Sequence, residues 1–130
     1  MARSPSQHPT ELELEILKVL WRIGPAPVRT VREELSAVRD LAYTSVMTIM
    51  TIMTKKGYLS RRKRGTGYVY RAKVSEDSTK HAMLSDLVDR AFEGSATALM
   101  LNFLDKETVK LEELEQLRRL IEQKAKEGSK

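Results

Sequence analysis

The sequence predicts a mainly α-helical protein with a small β-hairpin wing: a winged helix-turn-helix domain over residues 1–74 and an α-helical domain over residues 75–130. Three observations lead to this fold class. Three helical patterns followed by a hairpin pattern fill the first part of the chain. Helical patterns alone fill the second part. The formal charge also changes sign between the two parts, from +8 to −3.

The first helix is predicted to run from Thr10 to the pair Gly24-Pro25. Thr10 and Glu13 fit a capping box, in which each side chain accepts a hydrogen bond from the backbone N–H of the other residue. Glycine tolerates the end of a helix and proline cannot continue it. Trp21 is expected to pack against a neighbouring helix. The other residues expected in the core recur at helical spacing: Leu12, Ile16, Leu17, Leu20 and Ile23.

Two further helices and a hairpin complete the first domain. The second helix is predicted over residues 28–38, with Val38 as its last core position, and the third over residues 42–56. Gly57 suits the end of the third helix. β-Branched and aromatic residues on either side of the link 65–67 predict the hairpin. The core positions of the third helix are Val46, Ile49, Met50 and Met53.

The C-terminal domain carries three helical patterns, each with one apolar stripe. Three short amphipathic helices without a partner would leave apolar patches at the surface. We therefore expect these stripes to form a homodimer interface. The interface is predicted to comprise Leu84, Leu87, Val88, Ala91, Leu99, Met100, Phe103, Leu114, Leu117 and Ile121.

The third predicted helix carries a row of threonines on the face away from its core positions. Thr44, Thr48, Thr51 and Lys55 are spaced by four, three and four residues, which fits one helical face. Threonine is a mediocre helix former, so local propensity does not explain the row. A threonine hydroxyl can bond a base edge or a phosphate, and its methyl can contact thymine. We expect base contacts from Tyr43, Thr44, Ser45 and Thr48, and a phosphate or base-edge contact from Thr51.

Four consecutive cations, Arg61-Arg62-Lys63-Arg64, precede the tip of the hairpin. Alternation along a strand places Arg62 and Arg64 on one face and the other two cations on the opposite face, so one pair can meet phosphates. Runs of charge are usually solvated, but residues 41–75 contain no acid, which favours a polyanionic partner. Lys55 either contacts a phosphate or stabilises the negative end of its helix.

The composition excludes several classes of function. The 130 residues carry a net charge of +5 and no cysteine, which excludes disulfides, zinc–thiolate sites and thiol nucleophiles. His8 and His81 are isolated in the sequence and are expected to be solvated, so we predict no metal, no cofactor and no enzyme. The chain has no apolar run long enough to cross a bilayer and no secretion signal near its N-terminus, which predicts a cytoplasmic protein.

The patterns leave two classes of function open. The first is a dimer that binds double-stranded DNA through the third helix and the wing, for which symmetry predicts an inverted-repeat site. The second is a winged-helix module whose basic face binds an acidic protein or a membrane surface. The second hypothesis predicts no binding to duplex DNA and a threonine face that tolerates substitution.

From residue 9 to about residue 126, the sequence resembles the penicillinase repressor family of the BlaI/MecI type. The resemblance rests on the order and spacing of several segments. These are PTELELEILKVLW, VRTVREEL, LAYTSVMTIMTIMTKKGYL followed by GYVY, and LMLNFL before EELEQLRRLIE. It implies a homodimeric transcriptional repressor that binds a palindromic operator. By the family pattern, Tyr43, Thr44, Ser45 and Thr48 lie in the base-reading part of the helix, and Arg62, Arg64 and Thr66 lie in the wing.

The resemblance also implies a route of induction and excludes another. In β-lactam-responsive members, a membrane-bound sensor protease leads to cleavage between an Asn and a Phe, and this sequence has Asn102-Phe103 at the matching place. The same Phe103 also completes an apolar stripe. The copper-responsive relatives carry a cysteine-rich motif that this sequence lacks. Lys110-Leu111 replaces the small polar cap typical of the last helix, which leaves the start of that helix open.

Overall fold

A computed structural model describes residues 8–128, and in these residues it contains six α-helices and one antiparallel hairpin, which confirms the predicted fold class. Residues 1–7 and 129–130 lie outside the described part of the chain. The elements are α1 (Glu11–Ile23), α2 (Val28–Leu35), α3 (Tyr43–Lys56), β1 (Leu59–Arg64), β2 (Gly67–Ala72), α4 (Glu76–Ala91), α5 (Ala96–Lys106) and α6 (Leu111–Gly128).

Helix α1 begins and ends as the sequence predicts. The Glu13 backbone N–H donates to the Thr10 hydroxyl at 3.2 Å, and the Thr10 N–H donates to the Glu13 carboxylate at 2.8 Å. Gly24 ends the helix at φ 85°, a backbone conformation that favours glycine, and its N–H donates to the Leu20 carbonyl. The predicted core position Ile23 is instead 37% exposed, because it lies in the last turn of the helix.

The prediction for the second helix is wrong at its C-terminal end. Helix α2 ends at Leu35, and a turn follows in which the N–H groups of Val38 and Arg39 both donate to the Leu35 carbonyl. Val38 is therefore outside the helix and 71% exposed rather than in the core. The Ser36 hydroxyl accounts for the early end, since it donates to the Glu33 carbonyl at 2.6 Å and competes with the helical pattern.

One hydrophobic core joins α1, α2, α3 and the start of β1. Its largest fully buried side chains include the predicted positions of α3, with Ile49 packed at the edge. The bridge between Ala26 and Tyr70 ties the link before α2 to strand β2 through two hydrogen bonds of 2.9 Å. The fully buried side chains are Ile16, Leu17, Val31, Val46, Met50, Met53 and Leu59.

Residues beyond the hairpin also pack onto the helices and the hairpin that precede them. Trp21 packs at the edge of the core, as expected, and its indole N–H donates to the Val74 carbonyl at 2.9 Å. Thr79 in α4 is buried. His8 is not a solvated, isolated side chain: its Nε2 lies 2.9 Å from a carboxylate oxygen of Asp86. These contacts explain why the chain divides into compact units after Leu87, further along than residue 74.

The second compact unit, Val88–Lys130, is helical where it is described. No residue of α5 or α6 is buried. Helix α6 begins at Leu111 and continues to Gly128. The Lys110 carbonyl accepts a hydrogen bond from the Leu114 N–H in its first turn. None of the described helices is long and apolar enough to cross a membrane.

Candidate nucleic-acid interface

Helix α3 is fixed from both ends by the rest of the first unit. At its N-terminal end, the Arg32 guanidinium donates to the Leu41 carbonyl at 2.8 Å, which holds the turn between α2 and α3. At its C-terminal end, Gly57 adopts the left-handed conformation at φ 90° and lets the chain enter β1. Since Val46, Met50 and Met53 anchor one side of α3 in the core, the opposite side is presented to solvent.

The exposed side of α3 carries the residues predicted to contact bases. Tyr43, Thr44, Ser45 and Thr48 are all exposed, and Thr51 is half-buried beside them. Two apolar side chains without a predicted base contact share this surface: Met47 is 40% exposed and Ile52 is 43% exposed. We call this surface, Tyr43 to Ile52 on the solvent side, the reading face.

The hydroxyl groups of Thr48, Thr51 and Thr54 in α3 donate to the helix backbone. Thr48 donates to the Thr44 carbonyl at 2.9 Å, and Thr51 donates to the Met47 carbonyl at 2.9 Å. A phosphate oxygen needs a donor. The phosphate contact predicted for Thr51 therefore requires its hydroxyl to leave Met47, whereas a base-edge contact in which the oxygen accepts does not.

A buried carboxylate holds the last turn of α3. Glu13 is buried, and its second carboxylate oxygen accepts a hydrogen bond from the Lys56 ammonium at 2.9 Å. Burial alone would raise the pKa of Glu13. The hydrogen bonds from Lys56 and from the Thr10 backbone outweigh burial, so the pKa lies below its ordinary value of 4.5. Lys56 thus ties α3 to α1, and Lys55 is left exposed.

We expect Glu13→Gln to lower the free energy of unfolding at pH 7 by about 1–3 kcal/mol, because it removes a charged hydrogen bond from a buried site. A lowered pKa means that the ionised Glu13 stabilises the fold above the unfolded value near 4.5. That contribution is lost as the pH falls through the folded value. In urea unfolding at pH 7 and at successively lower pH, the difference between variant and wild type should therefore shrink as the pH falls. Glu11→Gln, on the exposed side of α1, is the control and should change little.

The wing is a two-stranded ribbon whose faces carry different side chains. The register pairs Arg61 with Tyr70 and Lys63 with Tyr68, so these four residues share one face. Arg62 lies on the opposite face. The Arg61 guanidinium lies 4.1 Å from the centre of the Tyr68 ring and 3.4 Å from the Tyr70 hydroxyl.

A groove separates the wing from the N-terminal ends of α2 and α3. The wing side of the groove carries Thr66 and Tyr68, and the helical side carries Arg29, Tyr43 and Met47. The predicted residues Tyr43 and Thr66 are thus brought to the same groove. Arg62 and Arg64, paired with Val69 and Gly67, are exposed on the other face of the ribbon, where a phosphate contact stays a prediction.

Sequence reasoning missed Arg29 and Tyr68 at this groove, and also Arg61, whose guanidinium lies over the Tyr68 ring. Tyr68 could have been predicted from the period-two pattern of Gly67–Ala72, which places Tyr68 and Tyr70 on one face. Arg61 follows once the strand register is known. No sequence pattern indicated Arg29, because its place at the groove depends on how α2 packs beside β2.

The surface around the groove and the reading face is cationic. Within the described residues, Lys55, Arg62, Lys63 and Arg64 are exposed and form no ion pair, whereas Lys56 is paired with Glu13. Residues 41–75 supply no carboxylate that could neutralise them. No group of three or more potential metal-ligating side chains occurs in the part of the chain that the structure describes.

The sequence profile of the penicillinase repressor family matches residues 9–123, which include the whole winged helix and most of the C-terminal helices. The chain belongs to the penicillinase repressor family. It is a DNA-binding transcriptional repressor. The resemblance inferred from the motifs of the sequence is confirmed.

Individual relatives agree with the family assignment. The transcriptional regulator BlaI of Mycobacterium tuberculosis is 33% identical over 113 residues, which cover 85% of this chain and 80% of that protein. The methicillin resistance regulatory protein MecI of Mammaliicoccus sciuri is 28% identical over 112 residues, covering 86% and 91% of the two chains. A solved DNA-binding domain of the repressor BlaI, 27% identical, covers 57% of this chain and 90% of its own, with a TM-score of 0.49.

Proposed function

We propose that this repressor binds an inverted-repeat operator in double-stranded DNA as a homodimer, with one reading face in the major groove of each half-site. The observation that carries the proposal is the unpaired cationic wing beside an exposed hydroxyl-bearing helix, in a segment free of acids. A helix of this kind presents its N-terminal residues to base edges. We assign base contacts to Tyr43, Thr44, Ser45 and Thr48. We assign backbone contacts to Lys55, Arg62, Arg64 and Thr66, and to Thr51 once its hydroxyl leaves the Met47 carbonyl.

The homodimer is supported by the exposed apolar side chains of the C-terminal helices. On α6, Leu114, Leu117 and Ile121 form one exposed stripe, and on α5 Met100 and Phe103 are more than half exposed. Apolar surface of this extent is typical of an interface. A two-fold dimer presents two identical winged helices, which accounts for an inverted-repeat operator. Because the proposed partner is operator DNA, we place the protein in the cytoplasm.

Release from the operator is proposed to follow cleavage between Asn102 and Phe103 by a sensor protease system. Both residues lie inside α5, and the Phe103 carbonyl accepts a hydrogen bond from the Glu107 N–H. Proteases bind extended substrates, so α5 must open locally before it is cut. Cleavage would separate α6 from the winged helix. Mass spectrometry of the repressor from induced cells should show a fragment ending at Asn102. Recovery of intact protein alone from cells in which the operator has been released would contradict this route.

The DNA-binding proposal is tested with labelled duplexes from the promoter region of the gene that encodes this repressor. We expect an inverted repeat to bind more tightly than a single half-site or a random duplex of equal length, with two protomers per repeat. Equal affinity for all duplexes would contradict operator recognition, and would favour a basic surface that binds polyanions without reading sequence.

We expect Arg62→Ala to weaken binding to cognate and random duplexes alike. Loss of one phosphate contact should reduce the slope of log affinity against log salt concentration by about 0.9. Titrations at four salt concentrations measure the slope. Arg119→Ala, which removes an exposed cation of α6, is the control and should leave the slope unchanged. A change in sequence preference without a change in slope would mean that Arg62 contacts bases.

A further inference from the structure

The hydrogen bonds of the α3 threonines form a regular ladder. The hydroxyl groups of Thr48, Thr51 and Thr54 donate to the carbonyls four residues earlier, at 2.9, 2.9 and 2.8 Å. Each bond fixes the side-chain rotamer, because the oxygen must lie against the helix backbone. The hydroxyl proton is used within the helix, so toward a ligand the oxygen can only accept, and the methyl group becomes the other contacting atom.

The neighbours of these threonines on the reading face add apolar surface. The thioether of Met47 and the side chain of Ile52 are both exposed there. From Tyr43 to Thr54 the helix contains no Arg, Lys, Asn, Gln, Asp or Glu. It therefore lacks the side chains that bond guanine or adenine with two hydrogen bonds. The centre of the reading face offers methyl groups and acceptor oxygens.

We infer that the centre of the reading face selects T·A base pairs, with the Thr48 methyl against the C5 methyl of thymine. This inference rests on the proposed function. In the major groove an A·T pair presents a methyl group beside the adenine N6 amino donor, which matches a methyl beside an acceptor oxygen. A G·C pair also presents one amino donor, on cytosine N4, but it has no methyl group, so the methyl contact is what separates the two pairs.

Two substitutions of Thr48 separate its methyl from its hydroxyl. Thr48→Val keeps a methyl group and removes the hydroxyl, and Thr48→Ser keeps the hydroxyl and removes the methyl. The probe is the duplex that wild-type protein binds best in a selection from a random pool. It is made with thymine or with deoxyuridine at each central position of its half-sites. Deoxyuridine pairs as thymine does but lacks the C5 methyl.

We expect Thr48→Ser to bind this duplex about three- to tenfold more weakly than wild type, the scale of one buried methyl group. Thr48→Val loses only the acceptor oxygen, so we expect it to keep the preference of wild type for thymine over deoxyuridine. Deoxyuridine at one of these central positions should weaken binding by the wild-type protein by a similar factor. It should weaken binding by Thr48→Ser less than twofold, since the two methyl groups form one contact. Thr54→Ser removes a methyl from a partly buried position with the same backbone bond and should change affinity little.

Three results would overturn the inference: recovery of guanine at the central positions, wild-type affinity for Thr48→Ser with weak binding by Thr48→Val, or insensitivity of wild type to deoxyuridine. Each of these leaves sequence-specific binding intact. If wild-type protein enriched no sequence from the pool, the proposed function itself would fail, so the two failures are distinguishable.

Discussion

Leu117→Glu is expected to convert the repressor to a monomer and to weaken its binding to an inverted-repeat operator by about 10²- to 10⁴-fold. The reason is that a second half-site adds an intramolecular binding event only while the two winged helices are joined. Leu117 is 41% exposed in the single chain, so the new carboxylate meets water in the monomer and is buried only in the dimer. Sedimentation at micromolar concentration and operator titration measure the two effects.

Gln123→Glu is the matched control for this substitution. It adds the same charge to α6 on the side away from the stripe of Leu114, Leu117 and Ile121. We expect it to leave both dimerisation and operator affinity near wild type. Affinity for an isolated half-site should be unchanged in both variants. A dimeric Leu117→Glu protein with full operator affinity would contradict the proposed interface.

Met50→Ala is expected to lower the free energy of unfolding of the winged helix by about 2–5 kcal/mol, the usual cost of truncating a large buried side chain. Met50 is fully buried at the centre of α3, where the helix packs in the core. The cavity would also loosen the support of the reading face. Chemical denaturation followed by circular dichroism measures the stability, and operator titration below the unfolding transition measures the effect on binding.

Met47→Ala makes the same chemical change one turn earlier on α3, at an exposed position. We expect it to cost little stability and to weaken operator binding, because Met47 belongs to the reading face. Equal losses of stability in the two variants would contradict the orientation of α3 described above.

Local patterns predicted most of the elements because their causes are local. The capping box of Thr10 and Glu13, the glycine at the end of α1 and the core stripe of α3 each depend on residues within one or two turns. The prediction failed at Val38, where a serine hydroxyl ended the helix although the apolar spacing continued. It also failed at His8, because its partner Asp86 is far away in the sequence.

The candidate site was predictable to the same extent. The exposed threonine row of α3 follows from helical periodicity, and the cationic wing follows from the run Arg61–Arg64 and the absence of acids in residues 41–75. The groove beside the wing could not be predicted from the sequence. Arg29 and Tyr68 meet there only because the bridge between Ala26 and Tyr70 brings the start of α2 to strand β2.

The sequence by itself determined the fold class, the order of elements, the family and the two chemically different parts of the chain, since periodicity, capping and charge are properties of neighbouring residues. Tertiary structure decided which polar groups remain available to a partner. Packing of α1 against the end of α3 buried Glu13 and used Lys56, while Lys55 stayed exposed. The hydroxyls of Thr48 and Thr51 bond to the backbone of their own helix, which is a local effect that the spacing of the threonines did not reveal. A polar group that packing has already paired is less available to a partner, and pairs between residues far apart in the sequence appear only in the folded chain.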